Sequence, residues 1–110
     1  MRLDLNFLRK LLLKIDNLDT FDPITTQDLT DNDTPINKVN AYLDILGNED
    51  LIEVFEDETE ENYIVKYITL KGQALIDKIK NKNSFEMFLE HILDNEIYSL
   101  KGIINYFINS

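Results

Sequence analysis

The chain has 110 residues, enough to build one hydrophobic core without a metal or a cross-link, and its 44% hydrophobic and 29% charged residues are ordinary for a globular domain. It contains no cysteine, which excludes a disulfide framework, a thiol nucleophile and a thiolate zinc site. The formal charge of −10 is segregated: from Asp16 to Glu61 fifteen acidic residues stand against the single Lys38, a net of −14, while the two flanks together carry +4.

The opening MRLDLNFLRK is interrupted by charge at Arg2, Asp4, Arg9 and Lys10, so it lacks the apolar centre of a secretory leader. No apolar run reaches the roughly 20 residues that span a bilayer. A cytoplasmic protein without membrane contact is expected. Asp4 suits the cap of a first helix, because its carboxylate can accept the orphan amide hydrogens of the first turn. Leu5, Leu8, Leu12 and Ile15 recur at helical spacing behind it, and Leu11 widens the stripe. The run IDNLDTFDP ends this helix, since Asp and Asn favour turns and Pro23 disfavours helix at Asp22. Phe21 and Ile24 are expected to anchor a short extended segment or weak strand.

The polar passage TTQDLTDND reads as a solvated loop. Asp28, Asp31 and Asp33 lack both the glycine and the closing glutamate that a calcium loop requires. Thr34-Pro35 is read as a helix start, a hydroxyl cap followed by proline at the first helical position. Ile36, Val39, Leu43 and Leu46 form the apolar face of that helix, and Asn37, Lys38, Ala41, Asp44, Ile45 and Asn48 the opposite one. The cluster from Gly47 to Asp50 ends it.

Leu51, Ile52, Val54 and Phe55 begin a hairpin whose turn region EDETEEN has neither glycine nor proline, so a longer loop is expected rather than a two-residue turn. The return segment YIVKYITL has the β-branched and aromatic content of a strand. Thr69 is expected to cap the next helix, with Gly72 in its first turn allowing another backbone to come close. Leu75, Ile76 and Ile79 supply the buried face, and Lys78, Lys80 and Lys82 gather at the C-terminal end, where cations oppose the helix dipole. NKNS is read as a short break. Ser84 then caps a helix carrying Phe85, Phe88, Leu89 and Ile92, and Ser99 one carrying Leu100, Ile103, Ile104, Phe107 and Ile108. This terminal hairpin must bury its stripe, by default in the chain's own core and alternatively against a second copy, a homodimer through the C-terminal helix.

The element order is helix, short strand, helix, strand, wing, strand, helix. NAYLDILGNEDLIEV followed by YITLKGQALIDKI is similar to the pattern that closes the second helix and the wing of many bacterial winged-helix proteins. With the opening MRLDLNFLRKLLLKID and the tail SFEMFLEHI, the chain resembles from end to end a family of small winged-helix proteins of unknown function found in bacteria and their phages. That resemblance implies an α+β, mostly helical fold: a winged-helix core with a two-stranded wing over residues 1–82, and an added C-terminal helical hairpin over 83–110 packed on the same domain. Asp50 stands where the pattern carries glycine, and Tyr42 where such helices often carry histidine. The family implies no established activity.

The charge map bears on what such a fold does. DNA binding through the helix and wing needs several cations for phosphate contacts. The recognition-helix face, Asn37, Lys38, Ala41, Asp44 and Asn48, offers one. The wing residues Glu53, Glu56, Asp57, Glu58, Glu60 and Glu61 offer none. Asn37, Asn40 and Asn48 have the chemistry to read base edges, but nothing there would hold the register on a duplex. The expected function is therefore non-enzymatic binding of a basic surface on a protein partner by the acidic wing, in its sharpest form a phage-type inhibitor imitating nucleic-acid charge. The alternative is a DNA-binding regulator using an atypical basic surface of Arg9, Lys10, Lys14, Lys78, Lys80 and Lys82, with Arg2 beside them. Catalysis is disfavoured: His91 is the single histidine, the carboxylates lie in hydrated stretches, and three glycines make no phosphate loop. No metal and no cofactor are expected.

Overall fold

The computed structural model describes residues 3–18, 23–32, 34–57, 62–95 and 100–108. The first helix, α1 (Leu5–Leu18), starts where Asp4 accepts the Phe7 N–H at 3.1 Å and runs on into the turn-forming IDNL segment. It buries Phe7, Leu8, Leu11, Leu12 and Ile15, while Leu5 is only half-buried. Strand β1 (Ile24–Thr25) follows, with Ile24 in the core; Phe21 lies outside the described residues.

The passage read as a loop contains a short helix, α2 (Thr26–Leu29). Its reason is a capping box: Asp28 N–H donates to the Thr25 hydroxyl, and Thr25 N–H donates back to the Asp28 carboxylate at 2.9 Å. Leu29 and Thr26 are fully buried by it. Asp31 is engaged elsewhere, accepting from the Lys14 ammonium and from the Thr34 hydroxyl, and Asp33 lies outside the described residues.

The next helix, α3 (Ile36–Asn48), begins one residue later than Thr34-Pro35 suggests. Pro35 is the cap, and Thr34 is turned inward, its hydroxyl donating to the Leu29 carbonyl at 3.1 Å and accepting from Asp31 N–H at 2.8 Å. The helix consequently buries Val39, Tyr42, Leu43 and Leu46, and leaves Ile36 exposed. Tyr42 takes the core position expected for Ile36 because its ring packs edge-on against Phe7 at 4.8 Å while its hydroxyl accepts the Asp4 N–H at 2.6 Å.

The helix ends in a Schellman motif. Leu51 N–H donates to Leu46 O and Asp50 N–H to Gly47 O, both at 3.1 Å, with Asp50 at φ 61. This sharp stop delivers the chain into the edge strand β2 (Ile52–Asp57), which pairs antiparallel with β3 (Asn62–Ile68). The sheet has the order β1-β3-β2. A register shift between Glu53 and Val54 leaves Lys66 as the extra residue on β3, a bulge that puts it beside Tyr67 opposite Glu53. Residues 58–61 connect the strands and lie outside the described residues, as does the expected loop there.

Thr69 caps α4 (Leu70–Ile79), its hydroxyl accepting Gly72 N–H at 3.0 Å. Gly72 does allow a close approach: a Cβ built there would lie 1.9 Å from the Leu51 carbonyl oxygen. The expected break before the fifth helix shrinks to two residues, because Asn81 rather than Ser84 is the cap. The Asn81 carboxamide oxygen accepts Ser84 N–H at 3.0 Å, and α5 (Lys82–Asn95) starts immediately after it. The last helix, α6 (Leu100–Ile108), packs on α4 and α5 and buries Leu100, Ile103, Ile104 and Phe107 within the chain. Phe88 joins α5 to α6, its ring centroid 4.7 Å from Phe107 and 4.9 Å from Tyr106. One cluster of buried side chains runs from Phe7 to Phe107. The fold is α+β and mostly helical, with a small antiparallel sheet.

Candidate functional site

The C-terminal half of α3 and strand β2 diverge enough to leave a cleft of about 290 Å³. Asp44, Gly47 and Asn48 line one side, Ile52, Glu53, Val54, Phe55 and Glu56 the other, and Tyr63 of β3 contributes from the neighbouring strand. Gly47 sets the width at one end: a Cβ there would fall 2.4 Å from Val54 Cγ1, so glycine lets the strand come against the helix. The lining holds three carboxylates, one carboxamide and one phenol, and no cation. Tyr63 is held in place through its backbone N–H, which donates to the buried Thr26 hydroxyl at 2.8 Å. That hydroxyl in turn donates to the Asn40 carboxamide oxygen at 2.6 Å, tying α2, α3 and β3 together.

The electrostatics agree with the geometry. Burial pushes the Tyr63 phenol above its ordinary value, and the Glu56 and Asp44 carboxylates push it further in the same direction. Glu56 and Asp44 therefore converge on one phenol from two different elements. Among the described residues no group of three or more His, Asp or Glu side chains is arranged to hold a metal.

The α3 face expected from the sequence to be a recognition surface divides in two. Asp44 and Asn48 line the cleft. Asn37 and Ala41 are exposed away from it, and Lys38 is turned toward α1. Its ammonium is 2.8 Å from the Asp4 carboxylate and 4.4 Å from the Phe7 ring centroid. The Lys38 hydrogen bond, helped by Phe7 N–H, holds Asp4 below the usual carboxylate range, and Asp4 raises Lys38 in return. Of the six acids expected to form a wing, Glu53 and Glu56 line the cleft, Asp57 closes the ladder against Asn62, and Glu58, Glu60 and Glu61 lie outside the described residues.

The six cations of the alternative surface are only partly together. Arg9 reaches the end of α4, its Nε donating to Ile79 O at 2.9 Å and Nη2 to Lys80 O at 3.2 Å, with the guanidinium 5.4 Å from the Phe85 ring centroid. It thereby satisfies helix-end carbonyls of α4. Lys78, Lys80 and Lys82 are exposed near that end, as is Lys10 on α1. Lys14 points elsewhere, donating to Leu29 O at 3.2 Å and pairing with Asp31. His91 is half-buried with its ring 4.8 Å from that of Tyr106.

Gly47, Ile52, Val54, Phe55 and Tyr63 line the cleft without any local pattern in the sequence that marks them as site residues. Placing Tyr63 opposite Glu56 needs the strand register, which depends on which residues close the hairpin. Asp4 as the partner of Lys38 joins residues 34 positions apart, and no local pattern announces it.

These features define a mostly helical α+β protein with an acidic cleft between a helix and a hairpin. The chain belongs to the family of hypothetical proteins DUF2513, a family of unknown function whose model matches residues 2–97. No curated protein and no solved structure matches the chain. No helix among the described residues is long and apolar enough to cross a membrane.

Proposed function

We propose that this chain is a winged-helix module, cytoplasmic and non-enzymatic, whose acidic cleft and wing bind a basic surface of a protein partner. The observation that carries the reading is the lining of the cleft: Asp44, Glu53 and Glu56 all border it, with no cation among the lining residues. Such a site attracts lysine or arginine and repels a polynucleotide. The one cation of α3, Lys38, is already paired with Asp4, which weakens phosphate binding through this helix further. The strand order β1-β3-β2, with α3 leading into β2, supports the winged-helix description. In the sharper form of the proposal, the wing occupies a nucleic-acid-binding groove of its partner as an inhibitor that imitates phosphate charge.

The alternative is a DNA-binding regulator. It is favoured by the juxtaposition of Arg9 with the lysine-bearing end of α4, and weakened by Lys14 turning to Asp31. Pull-down from a cell lysate, repeated with Asp44→Asn, Glu53→Gln and Glu56→Gln together, separates the two when run beside a mobility-shift assay at low salt. Loss of partner recovery in the triple variant is expected, with no shift of duplex DNA. Unchanged recovery, or a tight salt-sensitive shift lost in Arg9→Ala with Lys80→Ala, would move the function to the other surface.

A further inference from the structure

The cleft has a property that its charge alone does not explain. Five consecutive residues of β2, Ile52 to Glu56, line it, and consecutive strand residues point to opposite faces of a sheet. A cleft that meets both faces runs along the strand's edge. That edge is free: β2 is the outer strand in the order β1-β3-β2, and among the described residues no backbone group from Ile52 to Glu56 bonds outside the ladder with β3.

We infer that the free edge of β2 takes up an extended, basic segment of the partner protein as an added antiparallel or parallel strand. The inference rests on the basic-partner reading above and adds the mode of recognition. Unpaired N–H and C=O groups along an edge are a template for another strand, and main-chain hydrogen bonds then provide affinity while alternate side chains provide selection. Glu53 and Glu56, three residues apart, lie on opposite faces of the pleat, so an added strand meets a carboxylate on each side. On the helix side Asp44 adds a second. On the outer side the ring of Phe55, 44% exposed, offers an apolar platform.

The same charges decide between occupants. Pairing of β2 with β2 of a second copy would bring the acidic set Glu53, Glu56 and Asp57 of one copy alongside the same set of the other, and like charges across a ladder are destabilising. A strand carrying lysines on both faces converts that repulsion into attraction. The edge is therefore defended against its own kind and open to a basic chain.

The test uses the full chain and a short synthetic peptide of lysine, threonine and valine with lysines on both faces of its pleat, titrated calorimetrically at low salt. Two further peptides carry N-methyl groups on alternate residues, one in each frame. Strand addition predicts that one frame loses roughly tenfold or more in affinity, because its amides face β2, while the other frame binds like the parent. Equal behaviour of the two frames, or no binding of the parent peptide, overturns strand addition. In that event the basic-partner reading still stands if the triple charge variant loses its partners, and falls with it if recovery is unchanged. A dimer by light scattering that the parent peptide disperses would assign the edge to a second copy instead, and would also overturn the inference.

Discussion

The Lys38 ammonium lies 2.8 Å from the Asp4 carboxylate, so the start of α1 neutralises the only cation that α3 carries. Asp4 also caps α1, so one side chain serves two elements. Lys38 holds Asp4 below its ordinary value of 3.8, so near that pH the unfolded chain binds more protons than the folded one. The contribution of Asp4 is present above this ordinary value and is lost as pH falls through the lower folded one. Both side chains are more than a third exposed, which keeps the amplitude to about 1 kcal/mol or less. Asp4→Asn keeps a good capping side chain and removes the charge. Urea titrations at a series of acidic pH values should show a shallower pH dependence in the variant; identical slopes would mean that the pair contributes nothing.

Gly72→Ala is expected to be among the most damaging single substitutions. The added Cβ would sit 1.9 Å from Leu51 O, a backbone atom that also accepts Thr69 N–H at 3.1 Å and the Thr69 hydroxyl at 3.0 Å. The neighbour cannot move aside without breaking the cap of α4. A loss of about 3 kcal/mol or more, or failure to fold, is expected by thermal or urea unfolding. Gly47→Ala meets only the Val54 side chain and should cost less, about 1–2 kcal/mol, because a rotamer change relieves it.

At position 50 the expectation is reversed. Asp50 is the only non-glycine residue with positive φ among the described residues, at the C′ site of the Schellman motif where glycine is preferred. Asp50→Gly should raise stability by up to about 1 kcal/mol, and Asp50→Val should lower it, since a β-branched side chain is strained in this region. Chemical denaturation of the two variants checks the sign. If both are destabilised equally, the carboxylate rather than the backbone matters there.

Much of this fold was legible because its determinants are local. The cap at Asp4, the cap at Thr69, the glycine at 72 and the helical stripes of α1, α4 and α6 depend on residues within a turn or two of one another. The α2 capping box was legible in principle too, since Thr25 and Asp28 have the required spacing, but a density of Asp and Thr reads equally as loop. Thr34 and Ile36 depart from their local pattern for a less local reason. Thr34 is drawn inward by Leu29 O and Asp31, and Tyr42 outcompetes Ile36 for the core through Phe7 and Asp4 on another helix. The acidic character of the site was visible in composition, and the cleft was not, because it depends on strand register and on the Gly47–Val54 approach.

Phe88 is fully buried and faces two rings of α6, Tyr106 and Phe107. Phe88→Ala should cost about 3–5 kcal/mol, the range for a large aromatic truncated in a core. Because these contacts hold α6, amide hydrogen exchange in α6 should rise more than in α1. Uniform protection loss would show that the terminal helices unfold only with the whole chain.

The cleft has a direct reporter in the Tyr63 phenol. Tyr63 titrates above its ordinary value of 10.0 because partial burial desolvates it and because Glu56 and then Asp44 disfavour a phenolate beside them. Removing one of those charges by Glu56→Gln should lower the Tyr63 value while leaving desolvation in place, and Asp44→Asn should do the same to a smaller extent. Tyrosine ring-carbon shifts followed by NMR against pH, with Tyr63→Phe to assign the signal, provide the measurement. The two carboxylates belong to β2 and α3, so a response to both substitutions requires that helix and hairpin face each other across the cleft in solution. A Tyr63 resonance indifferent to Glu56 and Asp44 would mean that they do not, and the charge that the proposed function depends on would then not be gathered in one place.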